Sequence, residues 1–114
     1  ALFLALTVCG ASVSLVLYAR CATSYDLAIF YQALSRVAEG GAPLVPIKGA
    51  GANIFGDHFH PVVLLAVPFL WIHSSPATLL VVQAASVAGA WVVLGDTWRR
   101  LHGATPWWLV GLWG

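Results

Sequence analysis

The chain has 114 residues, of which 61% are hydrophobic and 8% charged, with a mean hydropathy of +0.89. A soluble domain carries about a quarter charged residues, so this composition excludes an ordinary soluble enzyme and belongs to the bilayer class. A net charge of +1 without a basic stripe gives no footing for a nucleic-acid partner.

Residues 1–19, ALFLALTVCGASVSLVLYA, contain no charge. They match the roughly 20 apolar residues that cross about 30 Å of hydrocarbon as a helix. The stretch lacks a basic start and an A-x-A-like cleavage site, and its apolar run is too long for a signal peptide. It reads as a first span. Cys9 and Cys21 are the only cysteines. On one continuous helix they stand about 18 Å apart, beyond the reach of a disulfide.

Residues 20–60 hold six of the nine charges and read as the main extramembrane loop. Its first part, residues 24–39, has helical periodicity. Leu27, Phe30, Tyr31, Leu34, Val37 and Ala38 share one face, with Gln32, Ser35, Arg36 and Glu39 opposite. Thr23 or Ser24 can cap its start, and Gly40-Gly41 followed by Pro43 stops it. Such a helix is expected to lie along the membrane surface, apolar face down. GGAPLVPIKGAGAN, rich in Gly and Pro, reads as irregular connection.

Residues 62–72, VVLLAVPFLWI, give only about 17 Å of helix and are interrupted by Pro68. They are expected to form a short interfacial helix. Residues 76–95 are a second uncharged stretch and read as a second span, with Pro76 at its first turn. Gln83 lies inside it, where an amide ordinarily bonds a neighbouring helix, and Ala85 with Gly89 gives it a small-residue seam. DTWRRLHG follows; Arg99 and Arg100 beside a span favour the cytoplasm, which puts the 20–60 loop on the outer face. PWWLVGLWG, 106–114, reads as the start of a third span. The expected fold is therefore all-α, a fragment of one polytopic transmembrane domain.

Two groups of polar residues carry possible chemistry. Asp26 opens the surface helix. Thr23-x-x-Asp26 resembles a capping box, and an acid there suits the helix dipole; the other use is a carboxylate at the water–lipid boundary, beside a reacting group. Asp57, His58 and His60 crowd into FGDHFHP. Pro61 biases His60 toward an extended conformation, in which His58 and His60 face the same way. Such a pair suits half a metal site, or acid–base work by one imidazole oriented by the other. Two histidines do not complete a metal site, and the further ligand would be Asp57 or Asp26.

The order SYDLAIFYQAL (24–34), GGAPLVP (40–46), NIFGDHFHP (53–61) and SPATLLVVQA (75–84) resembles the membrane-protein family named domain of unknown function 2079, and more distantly the start of GT-C type glycosyltransferases. The resemblance covers most of the chain. It implies a GT-C-like N-terminal part whose long first outer loop carries a membrane-parallel helix. In that likeness Asp26 takes the place of the catalytic base or metal ligand, and His60-Pro61 matches a His-Pro pair of lipid-dependent sugar transferases. Ala28 stands where Gly is typical, Tyr31 where Asp is, and His60 where a small hydroxyl residue is.

The resulting expectation is a membrane glycosyltransferase of a prokaryotic plasma membrane. It would move a sugar from a polyprenyl-phosphate-linked donor to an acceptor at the outer face. Asp26 would be the base. Asp57, His58, His60 and Lys48 would orient acceptor or donor phosphate, and Asp26, Asp57, His58 and His60 could hold a divalent cation, Mg or Mn. The alternatives are a transporter or a non-catalytic membrane protein. Transport sites ordinarily place ionisable groups within the spans, and both complete spans here are free of charge.

Overall fold

A computed structural model of the chain describes residues 1–57 and 59–103. The described residues are helical, apart from loops and one isolated antiparallel bridge between Leu44 and Asn53. Helix α1 is Leu2–Ala19, α2 Tyr25–Ala38, α3 Ile54–Asp57, α4 Val67–Ile72 and α5 Pro76–His102; short 3-10 segments occupy Pro46–Lys48 and Pro61–Ala66.

Helix α1 is apolar around its whole circumference, and of its 18 residues only Ala11 is buried. Leu2, Leu4, Val8, Val13 and Val16 all face outward. A helix hydrophobic on every side is suited to lipid, not to a water-facing surface. Helix α5 starts where Ser75 Oγ accepts the Ala77 amide at 3.2 Å, with Pro76 in the first turn. It ends at Gly103, whose φ of 75° provides the left-handed cap. It runs seven residues past the expected end of the span at 95. Asp96 pairs with both Arg99 and Arg100 one turn on, so the charged residues extend the helix and do not stop it. Both α1 and α5 are long and apolar enough to cross a membrane.

These two helices pack antiparallel. A Cβ built on Gly10 would meet the Ala84 Cβ at 3.4 Å, and one on Gly89 would meet the Phe3 ring at 3.8 Å. Moving back along α1 thus moves forward along α5. Small residues let the backbones approach, the usual means of helix association where lipid is as apolar as leucine. The expected seam forms against α1 through Gly89.

The described residues between 20 and 75 gather at one end of this pair, around α2. One face of α2, Ile29 and Ala33, packs on Val45 and Ile54 of the connecting loop. The next, Leu34 with Tyr31, Val37 and Ala38 around it, packs on Val67 and Leu70 of α4 and reaches Leu79 of α5. Among the described residues four hydrogen bonds fix it there: Tyr25 Oη to the Ile47 carbonyl at 3.2 Å, the Ile47 amide to Gln32 Oε1 at 3.4 Å, Trp71 Nε1 to the Ala38 carbonyl at 2.9 Å, and Tyr31 Oη with Ser74 Oγ at 3.3 Å.

Three local expectations are corrected. The capping box does not form: Ser24 is the N-cap residue, and no side chain caps the helix. The 40–53 connection is not wholly irregular, since the Val45 amide bonds the Ala52 carbonyl at 2.7 Å and the Ile54 amide, just beyond it, bonds that of Pro43 at 3.1 Å. The interfacial helix is split. Pro68 has no N–H for the Leu64 carbonyl, and the Val67 amide takes that carbonyl in 3-10 fashion before α4 begins. The third span expected at 106–114 lies outside the described residues.

Candidate functional site

An open cavity of about 680 Å3 lies where α1, α2, the 61–66 segment and α5 meet. Its polar end is the Ala22–Ser24 turn with Asp26. Leu17, Leu27, Phe30, Leu34, Val62, Val63, Leu65, Leu79 and Leu80 supply the apolar walls. Ser14, Gln83 and Ser86 add polar groups further along. Ser86 is about 15 Å along α5 from Pro76, so the cavity reaches roughly half the depth of a bilayer.

Helical spacing explains which side chains line it. Asp26 and Phe30 are four apart on α2, and Leu79, Gln83 and Ser86 lie on one stripe of α5, so each set points the same way. Asp26 is exposed at the first turn of α2, and among the described residues it makes no hydrogen bond or ion pair. A missing capping box matters here: with Ser24 as N-cap, the carboxylate is not spent on closing the helix. Among the described residues it is also the only charged side chain in the lining. Gln83 makes no hydrogen bond to a neighbouring helix among the described residues; it faces the cavity instead.

The other candidates lie elsewhere. Lys48 forms an ion pair with Asp57, which closes the loop between the Pro46–Lys48 turn and α3. His60 is exposed at the start of the 61–66 segment with φ −121° and ψ 71°, short of the fully extended geometry expected before Pro61. Lys48, Asp57 and His60 are not among the cavity's lining residues, so the structure does not bring them together with Asp26 there. His58 lies outside the described residues. Among those described, no three His, Cys, Asp or Glu side chains gather as a metal site. Of the residues expected to hold a divalent cation, Asp26 stands in the cavity, Asp57 pairs with Lys48, and His60 lies outside the lining.

The sequence reading missed Ser14, Phe30, Gln83 and Ser86 as cavity residues. The i, i+4 relation of Asp26 to Phe30 and the i, i+4, i+7 stripe of Leu79, Gln83 and Ser86 were the available signals. Nothing in one sequence shows that these two stripes face each other.

No curated protein and no solved structure matches the chain. Residues 16–114 match the family described as predicted membrane protein (DUF2079). That match includes α2, all of α5 and the cavity lining except Ser14, and the two long apolar helices agree with the family's membrane setting. By this match the chain belongs to DUF2079, the family of predicted membrane proteins.

Proposed function

We propose that the chain is the lipid-binding part of a membrane glycosyltransferase that uses a polyprenyl-phosphate-linked donor at the outer membrane face. The observation that carries this reading is the unengaged Asp26 carboxylate at the polar end of an otherwise apolar cavity. A lipid-linked substrate makes two demands: a wall its chain can enter sideways from the bilayer, and a polar end where its headgroup reacts near water. The walls of α2, the 61–66 segment and α5 suit the first, and the turn bearing Asp26 suits the second.

In the transfer step, an acceptor hydroxyl attacks the anomeric carbon of the donor sugar and gives its proton to Asp26. The new C–O bond forms as the bond from that carbon to the phosphate oxygen breaks, and the electron pair leaves with the polyprenyl phosphate. The leaving group is a stable anion and needs no strong general acid. Counter-charge for the phosphate falls to Lys48, which is next to Ile47 and so close to Tyr25, the neighbour of Asp26. Lys48 must leave Asp57 to serve in this way.

Asp26→Asn in the full-length protein tests the reading. The near-isosteric amide cannot accept the proton, so transfer of labelled sugar from a lipid-linked donor in membranes is expected to fall at least about a hundredfold, with expression and thermal stability unchanged. Undiminished transfer removes Asp26 as the base.

A further inference from the structure

We propose that the cavity beside Asp26 binds a membrane lipid with a primary ammonium headgroup. Charge is the first argument. Among the described residues Asp26 is the only ionised side chain in the lining, shared with no Lys, Arg or His, and its carboxylate has no partner. A bare anion at the mouth of an apolar groove attracts a cationic group in a headgroup that carries one.

Geometry is the second argument. Phe30 lies one helical turn beyond Asp26 and lines the same cavity. A carboxylate next to an aromatic ring makes a two-part seat for an ammonium: N–H groups donate to the carboxylate oxygens, and the cation rests against the ring face. The phosphate of the same headgroup fits one step away, at the start of α2, where Thr23 and Ser24 offer hydroxyls and no side chain caps the helix. Acyl chains then follow the walls of Leu27, Leu79 and their neighbours. The inference shares a cavity with the transfer reading but uses none of its chemistry, so binding measured without any sugar donor tests it alone.

The experiment titrates the full-length protein in detergent with phosphatidylethanolamine or phosphatidylglycerol of identical acyl chains, read by native mass spectrometry. The expected preference for the ethanolamine lipid is about tenfold, the product of a partly solvated charge pair and a cation–ring contact. Asp26→Asn is expected to abolish the preference, and Phe30→Leu to reduce it while Phe30→Tyr preserves it. Equal binding of the two lipids, tighter binding of the glycerol lipid, or an ethanolamine preference that survives Asp26→Asn overturns the proposal. Should Asp26→Asn fail to fold, the Phe30 pair decides: a preference unchanged in Phe30→Leu overturns it. Undiminished sugar transfer in Asp26→Asn with the lipid preference lost would count against the transfer reading only.

Discussion

Within α2, Ser35 buries a hydroxyl that finds no hydrogen-bond partner among the described residues. Its position opposite the apolar stripe reads as a water-facing one, but α2 is covered on more than one side, and a face that periodicity marks as polar becomes enclosed. An unsatisfied buried hydroxyl costs about 1–3 kcal/mol of desolvation. Ser35→Ala is accordingly expected to stabilise the protein by about 1 kcal/mol, seen as a higher midpoint of thermal unfolding in detergent; a lower midpoint would show that the hydroxyl has a partner. Asp26 shows the opposite limit of sequence reading. Its residue type and place near a helix start were legible, but two uses, cap or free carboxylate, fitted, and spacing alone favoured the cap. Which one holds depends on whether Thr23 or Ser24 becomes the N-cap, a shift of one residue that no pattern specifies.

Among the elements, the two apolar helices and α2 were legible because each has a signal spread over many residues: unbroken hydropathy in α1 and α5, and helical spacing in α2. The 43–57 connection was not. Its bridge, its 3-10 turn and α3 are held by contacts with α2 across 15 and 22 residues, such as the Ile47 amide on Gln32 Oε1 at 3.4 Å and Tyr25 on the Ile47 carbonyl. Local propensity carries no record of such partners. Helix pairing is testable at Gly10, whose Cβ position already stands in van der Waals contact with Ala84. Gly10→Ala is expected to leave the α1–α5 pair intact. Gly10→Leu should force the helices apart and lower the unfolding midpoint by several degrees, about 1–3 kcal/mol of overpacking. Equal midpoints for the two variants would show that the helices do not meet there.

Across the whole molecule, the antiparallel pair returns the chain to the side from which it started, so Cys21 and the candidate cavity share one end while Arg99 and Arg100 occupy the other. In the proposed orientation the first end faces outward. A membrane-impermeant maleimide added to intact cells is then expected to label Cys21, which is exposed just beyond α1, and to spare Cys9 within the span. Labelling of Cys21 only after the cells are opened would reverse the orientation and place the cavity inside. The cavity itself was the least legible feature, because its walls come from stripes as far apart in sequence as Ser14 and Ser86. The two long helices also differ in reach. With 18 residues α1 extends about 27 Å, and with 27 residues α5 extends about 40 Å, against a hydrocarbon slab of about 30 Å. The uncharged part of α5, residues 76–95, accounts for about 30 Å of this, so one slab holds both helices, and the last seven residues carry Asp96, Arg99 and Arg100 about 10 Å further, into the headgroup layer, as a charged post beside the membrane.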